Sequence, residues 1–400
     1  MKILFLNHNV AFKGGTFFRA YHFARHLVKF GHEVTLYTIS PDARLKTMTR
    51  EVEGIRLVET PDWLWGIGRT GWDLWDTAAR ITSVAGEKWD LVHAFDSRPA
   101  VIFPALFVQR RFGAKLFIDW ADWWGRGGTS SERKSWILRY GMGPVETFFE
   151  EHYRNRADGT TVISHALAQR AESLGVPGDK ILLLQNGSDI EGIKVLDRAT
   201  SREELGVDTN VRLFGYLGTA HHADGTLLLD AFAEILKRDP RARLVLIGNS
   251  AIRFREHPVA GSVIATGFVD AFTMNKYLCA CELMLLPMRD TIANRGRWPS
   301  KINDYMAAGR AVVTMPVGEL DELFKRTELG QLAGENAMSF ADAALDLLND
   351  PKRRAHCEQS AREAAEQVFA WPALTRQLEG IYRASLERDF SSDVAIGERV

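Results

Sequence analysis

The sequence predicts an α/β protein with two doubly wound parallel sheets. Three observations support this prediction: a strand–helix–strand opening, a second series of strands and helices that restarts near residue 212, and a length of 400 residues. A single core rarely serves a chain of this length, since domains usually hold roughly 150 to 200 residues. We therefore expect a first domain over 1–195 and a second over 196–371.

The first domain opens as a βαβ unit. A strand at 3–6 leads into the glycine loop KGGT at 13–16, a helix at 17–30 that stops at Gly31, and a strand at 33–37. Short apolar runs predict further buried strands, because parallel strands covered on both faces read as continuous apolar segments. These strands are expected at 91–94, 115–119, 160–163 and 181–184.

The second domain repeats this alternation. A charged, weakly apolar stretch at 194–208 is interpreted as the linker before it. From 341 onward the pattern is helical, and Trp371-Pro372 predicts a break between two helices, since proline disrupts a helix interior. The elements predicted between these segments are a strand at 212–217, a glycine loop at 218–225, a helix at 226–237, strands at 243–247 and 263–266, a helix at 271–280 and a strand at 283–287.

The composition excludes several classes of binding partner and of site. The formal net charge is -1, so no global field favours nucleic acid, and we expect no nucleic-acid partner. No window approaches the ~20 apolar residues of a membrane span, and the opening MKILFLNHNV lacks the apolar core of a secretory signal. Cys279, Cys281 and Cys357 are expected to be reduced, buried thiols of a cytoplasmic protein, because no second pair completes a zinc site.

The segment PSKINDYMAAGRAVV at 299–313 carries the clearest chemistry. Ser300 is a candidate N-cap, and Lys301 follows at the start of a helix, where a lysine and backbone N–H groups together suit an anion. Asp304, one turn later, lies on the same face and would accept hydrogen bonds from a diol such as a ribose. The pattern therefore predicts a phosphate-and-ribose site; the alternative is an ordinary amphipathic helix with solvated charges.

These segments together resemble the retaining glycosyltransferases of family four, whose GT-B fold sets two Rossmann-like domains facing each other across a cleft. The resemblance covers nearly the whole chain. It implies that the final helix, at about 372–390 and beginning within FAWPALTRQLEGIY, packs back on the first domain. The matching pieces are KILFLN with GGT, DLVHAF at 90–95, ADGTTVIS at 157–164, LLLQNGSD at 182–189, GYLGT at 215–219, LVLIGN at 244–249 and PSKINDYMAAGRAVV.

The resemblance implies metal-independent transfer from a nucleotide-diphosphate sugar, with no cofactor and no metal site. Electrostatic stabilisation of the leaving diphosphate would supply most of the rate. By position Lys301 would hold that diphosphate and Asp304 would take the place of the family's ribose-binding glutamate. Gly14 and Gly15 would let backbone amides approach the phosphate or the acceptor, and Gly218 and Thr219 would line the donor.

Two departures from the family pattern affect the donor site. The loop after the strand at 212–217 has Thr219 and Asp224 where members often carry an arginine and a lysine, and Gly296 stands where the first of two paired glutamates would fall. Three guanidiniums in the preceding loop are the expected compensation, with Arg297 favoured beside Lys301 in catalysis; the alternative is a solvated basic loop. These are Arg289, Arg295 and Arg297.

The acceptor candidates lie after the strand at 115–119, in FIDWADWWGRGGT. This segment resembles the IDWH motif of mannosyltransferases with lipid-linked acceptors, except that Ala121 replaces the histidine. Asp119 and Asp122 would orient an acceptor hydroxyl, with Asp122 at the reaction centre, and Trp123 would stack on a sugar or isoprenoid. The alternative for this aromatic run, which also includes Trp120 and Trp124, is core packing.

Further histidine and tryptophan candidates lie outside these motifs. His93, at the end of a buried strand, is expected to be a hydrogen-bonded core histidine, whereas His221 and His222 either contact the donor sugar or are exposed loop residues. A second aromatic cluster has a spacing compatible with one helix face from Trp72 on. It would touch a membrane surface or a lipid acceptor, or alternatively belong to the core or a lid. It comprises Trp63, Trp65, Trp72 and Trp75.

The sequence thus predicts a cytoplasmic retaining glycosyltransferase, at most peripheral at the inner membrane face, acting on a glycan or lipid-linked acceptor in polysaccharide or glycolipid assembly. Two alternatives remain open: a nucleotide-sugar epimerase of the same fold, and a non-catalytic nucleotide-binding relative. The donor base, the sugar and the acceptor are not specified by these residues.

Overall fold

The computed structural model describes residues 1–43, 45–63, 70–220 and 222–397, with side chains up to residue 387 except that of His222. The chain divides into two compact units. Unit 1 comprises Met1–Gln185 together with Trp371–Val400, and unit 2 comprises Asn186–Ala370. The division falls earlier in the chain than the predicted boundary at residue 195.

Unit 1 is built on an eight-stranded sheet in the order β3-β4-β2-β1-β5-β6-β7-β8. All neighbours pair in parallel except β3 and β4, which form an antiparallel hairpin at the edge. The strands are β1 (Lys2–Val10), β2 (Glu33–Ile39), β3 (Met48–Val52), β4 (Ile55–Thr60), β5 (Leu91–Phe95), β6 (Lys115–Trp120), β7 (Gly159–Val162) and β8 (Ile181–Leu183). The helices are α1 (Gly15–Lys29), α2 (Leu74–Val84), α3 (Pro99–Phe112), α4 (Gly143–His152) and α5 (His165–Ser173).

The two faces of the unit 1 sheet carry separate apolar cores. Alternate side chains of a strand point to opposite faces, so Ile3 and Phe5 of β1 join one core and Leu4 and Leu6 join the other. Burial on both faces explains why β1 reads as a nearly continuous apolar run.

Unit 2 has a six-stranded sheet, parallel throughout, in the order β11-β10-β9-β12-β13-β14. Its strands are β9 (Arg212–Leu217), β10 (Ala242–Ile247), β11 (Val263–Gly267), β12 (Leu283–Leu286), β13 (Val312–Thr314) and β14 (Gly330–Leu332). Its helices are α6 (Arg198–Leu205), α7 (His222–Arg238), α8 (Ala271–Ala280), α9 (Ile292–Arg295), α10 (Lys301–Ala307), α11 (Glu319–Arg326), α12 (Ala337–Asn349) and α13 (Pro351–Gln367).

The stretch at 194–208 is not a linker, which corrects the sequence-based interpretation. It contains α6 and belongs to unit 2. Arg202 of α6 is buried, and its Nη2 lies 2.5 Å from Glu282 Oε2 while its Nε donates to Ala280 O at 2.9 Å. The charge that suggested a solvated linker therefore forms a buried ion pair.

The last helix, α14 (Trp371–Gly397), begins after the break that Trp371-Pro372 predicted and belongs to unit 1. Leu374, Leu378 and Tyr382 are buried in the same apolar core as Ile3 and Phe5. The Trp371 ring stacks on His22 of α1 at a centroid distance of 4.7 Å. Among the described residues, no helix is both long enough and apolar enough to cross a membrane.

Candidate functional site

Lys301 lies at the point of unit 2 where the strand order reverses. The sheet runs from β9 to β10 on one side and from β9 to β12 on the other, and ligands of doubly wound folds bind at the carboxyl ends of strands at such a point. The Lys301 ammonium donates to Thr219 O at 2.8 Å and to Tyr216 Oη at 3.0 Å. It also lies 4.6 Å from the centre of the Tyr216 ring. The lysine is thus fixed at the carboxyl end of β9.

Burial lowers the pKa of Lys301 to about 8, while the carboxylates of Asp224 and Asp304 oppose that shift. Asp304 is half-buried, and desolvation, followed by the charge of Asp189, raises its pKa to about 7. Within the described residues the Asp304 carboxylate accepts no hydrogen bond. A lysine and an acid with perturbed pKa values on one short helix are typical of a functional site.

The start of α10 differs from its prediction. Ser300 adopts helical backbone angles and makes no side-chain cap; its Oγ accepts instead from Asn186 Nδ2 at 3.2 Å. The helix is only seven residues long. Lys301 is therefore held by its contacts with Tyr216 and Thr219 rather than by a capped helix end.

The three predicted arginines are in different environments. Arg297 is half-buried, its Nε donates to Ala293 O at 3.2 Å, and its charge contributes to lowering the pKa of Lys301. Arg289 is exposed and donates its backbone N–H to Asp224 Oδ1 at 3.0 Å. Arg295 is exposed and binds Asp290 through two hydrogen bonds of 2.5 Å. Arg297 therefore lies near Lys301, whereas Arg295 is bound to Asp290.

The loop after β9 requires glycine at one position. Gly218 has a φ of +70°, in the left-handed region that favours glycine, and its N–H donates to Ile247 O at 2.7 Å. The turn presents Thr219 O to Lys301. His221 lies outside the described residues, as does the side chain of His222, which begins α7.

Unit 1 has a pocket at the carboxyl ends of β5 and β6. The pocket lies at the topological switch point of the unit 1 sheet, where β1 has β2 on one side and β5 on the other. Asp96 follows β5 with a φ of +104°, which is unusual for a residue other than glycine, and its side chain accepts from the Ser97 and Arg98 backbone N–H groups. The pocket is lined by Thr16, Trp72, Asp96, Ser97, Arg98, Asp119, Trp120, Ala121, Asp122, Trp124, Glu146, Phe149, Glu150 and Arg154.

The predicted acceptor role of Asp119 needs correction. Its carboxylate forms an ion pair with Arg19 of α1, and the side chains of both residues are 1% exposed. The Arg19 guanidinium donates at 2.9 and 3.0 Å, Thr161 Oγ1 donates at 2.5 Å, and these contacts hold the pKa of Asp119 below its usual value. Asp119 therefore fastens α1 to the sheet instead of presenting a carboxylate to a ligand.

Of the remaining acceptor candidates, Asp122 lines the pocket and Trp123 does not. The Trp123 side chain lies beside Gly128, and its carbonyl accepts from the Thr129 backbone N–H at 2.9 Å. The neighbouring tryptophans line the pocket in its place: Trp120, Trp124 and, from the segment before α2, Trp72. The aromatic run is thus part packing and part pocket wall.

Two functional candidates on α4 and just after it were missed. Glu150 Oε1 accepts from Trp120 Nε1 at 2.8 Å and from the Trp124 N–H at 2.9 Å, and burial raises its pKa. Arg154 lies 3.7 Å from the centre of the Trp120 ring, and burial lowers its pKa to about 10. In the sequence both look like solvated helix charges. Asp96 and Arg98, by contrast, could have been found, because they directly follow a predicted strand.

The first glycine loop borders the same pocket. Gly14 precedes α1, and a Cβ there would lie 2.6 Å from Asn9 Nδ2, whereas one at Gly15 would meet nothing within 4 Å. Thr16, the next residue, lines the pocket. The predicted contact of Gly14 and Gly15 with a phosphate or an acceptor stays a prediction.

His93 is a buried core histidine, as predicted. Its ring nitrogens contact Tyr382 Oη at 2.5 Å and Thr161 Oγ1 at 3.2 Å, and burial lowers its pKa to about 3. The neutral imidazole therefore ties α14 to the sheet.

The second tryptophan cluster does not form one helix face. Trp72 precedes α2, and its ring packs edge-on against Phe149 at 5.3 Å. Trp63 and Trp75 are exposed, with ring centres 5.9 Å apart, and Trp65 lies outside the described residues. All three cysteines are buried and free, and the described residues contain no group of histidine, cysteine, aspartate or glutamate suited to a metal ion.

Comparison with known proteins places this architecture in a family. A model described as "Glycosyl transferase 4-like domain" matches residues 14–187, and one described as "Glycosyl transferases group 1" matches residues 211–350. A D-inositol 3-phosphate glycosyltransferase of Corynebacterium aurimucosum is 26% identical over 332 residues, which span 80% of this chain and 69% of that relative.

Solved structures show the same fold. Sucrose-phosphate synthase from Thermosynechococcus elongatus matches with a TM-score of 0.74 and 16% identity, covering 96% of this chain and 99% of that one. HepE of Anabaena, solved with UDP and glucose, matches with a TM-score of 0.70 and 18% identity, covering 96% and 100%. Together the two family models take in more than three quarters of the chain, one on each side of the boundary between the units. The chain therefore belongs to the group 1, family 4-like glycosyltransferases of GT-B fold.

Proposed function

We propose that this glycosyltransferase uses a nucleoside-diphosphate sugar as donor and a glycan or lipid-linked acceptor, retains the anomeric configuration, and needs no metal. The observation that supports the donor site best is the Lys301 ammonium, held at the switch point of unit 2 beside Asp304. The HepE structure was solved with UDP, so UDP is the first donor nucleotide to test.

The donor chemistry follows from these residues. Lys301 and Arg297 would bind the diphosphate and stabilise the negative charge that develops on it as the sugar leaves. Below its pKa of about 8 Lys301 carries the charge that this role needs. Asp304, whose carboxylate meets no donor in the described residues, would accept the ribose hydroxyls.

The unit 1 pocket is the proposed acceptor site. It combines aromatic rings with carboxyl groups at the carboxyl ends of β5 and β6, a common setting for ligand recognition in α/β folds. Asp122, which lines this pocket, would orient the acceptor hydroxyl. Retention is proposed from the family and would be read from the anomeric coupling of the product by NMR.

A peripheral contact with the cytoplasmic face of the inner membrane is part of this proposal. In unit 1 the segment before α4 exposes Trp136 (70%), Ile137 (62%) and Tyr140 (67%) next to Lys134 and Arg139. Adjacent exposed apolar side chains with basic neighbours suit an anionic lipid surface. Trp136→Ala/Tyr140→Ala should reduce co-sedimentation with phosphatidylglycerol vesicles; equal sedimentation would contradict the contact.

The donor site is tested by replacing Lys301 with alanine. UDP should raise the melting temperature of the wild type, as ligands that bind only the native state do, and the shift should be largely lost in Lys301→Ala. Lys325→Ala is the matched control, because Lys325 of α11 is exposed and pairs with Asp321. An unchanged UDP shift in Lys301→Ala would contradict the phosphate role.

The same samples separate the alternatives. Donor consumption that persists in EDTA would support a metal-independent transferase, and consumption restored only by magnesium would contradict it. Nucleotide binding without turnover of any sugar conjugate would favour the non-catalytic alternative. Conversion of the donor to an epimer, without release of nucleotide, would favour the epimerase.

A further inference from the structure

The aromatic wall of the unit 1 pocket is anchored at several points. Glu150 Oε1 accepts from Trp120 Nε1 at 2.8 Å and from the Trp124 backbone N–H at 2.9 Å, and Glu150 Oε2 accepts from the Gly125 N–H at 2.5 Å. Trp72 packs edge-on against Phe149. Trp72 and Trp124 remain partly exposed to the pocket, whereas Trp120 is buried. The pocket therefore presents the packed Trp72 ring and the Trp124 ring on an anchored backbone, and a preorganised surface lowers the ordering cost of ligand stacking.

Both arginines that line this pocket are already committed. Arg98 Nη1 donates to Thr70 O at 2.9 Å, its Nε lies 3.5 Å from Asp96 Oδ2, and its guanidinium lies 5.4 Å from the centre of the Trp124 ring. Arg154 Nε donates to Glu150 O at 2.8 Å beneath the Trp120 ring. Arg98 thus already contacts a carboxylate and Arg154 Nε a carbonyl, so neither guanidinium has all of its N–H donors available to a phosphate.

The charges of the described pocket lining also disfavour an anionic ligand. The lining contains five carboxyl groups and two guanidiniums. Asp119 is paired with Arg19 and Glu146 with Arg133, and the other three carboxyl groups are those of Asp96, Asp122 and Glu150. Carboxyl groups therefore outnumber guanidiniums in the lining, which has no surplus of positive charge. His8, which contacts Asp96 at 3.0 Å, adds none, since burial and the charge of Arg98 lower its pKa.

We infer that this pocket binds an uncharged sugar unit, stacked on Trp124 and Trp72 and hydrogen-bonded to pocket carboxyl groups, and that it disfavours phosphorylated acceptors. The inference rests on the proposed transferase function. A sugar ring has an apolar C–H face for the aromatic surface and hydroxyl donors for carboxylate acceptors. A phosphate ester would bring further negative charge to a lining that has no surplus cation.

Ligand-observed NMR titration tests this inference. The probes are the methyl α-glycosides of glucose, mannose and galactose on one side, and glucose 6-phosphate, mannose 6-phosphate and inositol 1-phosphate on the other. At least one neutral glycoside should bind, and each phosphate should bind roughly tenfold more weakly or worse. A phosphate probe that binds as tightly as the best neutral glycoside would overturn the inference.

Variants locate the binding. Trp124→Ala should weaken glycoside binding by roughly tenfold, Trp124→Phe should retain most of it, and Phe272→Ala, at an exposed aromatic site of unit 2, should leave it unchanged. Persistent binding in a folded Trp124→Ala variant would overturn the inference, as would wild-type protein that binds UDP but no neutral glycoside. Failure of the wild type to bind UDP would instead count against the proposed donor function.

Discussion

Removal of the Asp119 carboxylate should destabilise unit 1 by about 3 kcal/mol. Asp119→Asn keeps the shape of the side chain but leaves the buried Arg19 guanidinium without a counter-ion. Breaking one side of a buried pair costs about 3 to 5 kcal/mol. Arg19 also donates to Leu184 O at 2.8 Å and Gln185 O at 3.0 Å, and these retained acceptors favour the lower end of that range.

The assay is thermal and urea unfolding at pH 7, with Asp42→Asn, an exposed site in unit 1, as the matched control. A loss of about 3 kcal/mol corresponds to a fall in melting temperature of roughly 6 to 12 °C for a unit of this size. The double variant Arg19→Met/Asp119→Leu should lose less than Asp119→Asn, since it leaves no uncompensated charge.

The pH dependence provides a second readout with a definite sign. The folded-state pKa of Asp119 is below its unfolded value, so its contribution is complete above the unfolded pKa, near 4, and is lost as the pH falls through the folded pKa. The stability gap between wild type and Asp119→Asn should therefore shrink below about pH 4. A variant within about 0.5 kcal/mol of wild type at pH 7 that has lost transfer activity would refute this reasoning and return Asp119 to the acceptor site.

Three further predictions follow from the same structure. UDP affinity, measured by titration, should fall as the pH rises through about 8, because Lys301 loses its charge, and Lys301→Ala should show no such step. Glu150→Ala should destabilise unit 1 in urea more than Glu150→Gln, since it leaves three N–H donors of the Trp120 and Trp124 region unpaired at about 1 to 3 kcal/mol each. Tyr382→Phe should cost about 1 kcal/mol, independent of pH between 5 and 8, because its partner His93 has a pKa of about 3; a cost that varies across that range would contradict a neutral His93.

Much of both sheets could be predicted because their buried parallel strands leave local signals. The strand at 212–217 and the helix at 271–280 lie at the predicted residues, and Asp270 caps that helix by accepting from the Thr273 N–H at 2.7 Å. The hairpin β3–β4 was missed, since β3 is an edge strand with mostly exposed side chains and no apolar period. The three-residue β14 is too short to leave a pattern.

The site residues could be predicted only where the backbone alone places them. Lys301, Gly218 and Thr219 follow strands or begin helices, so a sheet topology is enough to bring them together. The role of Asp119 depends on Arg19, a residue 100 positions away, and no local pattern encodes that pairing. Glu150 likewise looks like an exposed helix acid until the fold closes Trp120 and Trp124 over it.

Asp224 stands at a position where the family resemblance leads one to expect a lysine, and its contacts explain how an acid is accommodated there. Its carboxylate is buried, accepts the Arg289 N–H and so joins α7 to the segment after β12. Its charge also raises the pKa of Lys301 against the lowering effect of burial. A lysine at 224 would remove that acceptor and add a positive charge that lowers the pKa of Lys301 further. The acid therefore helps Lys301 to stay protonated near neutral pH, which is the state that the proposed diphosphate binding would require.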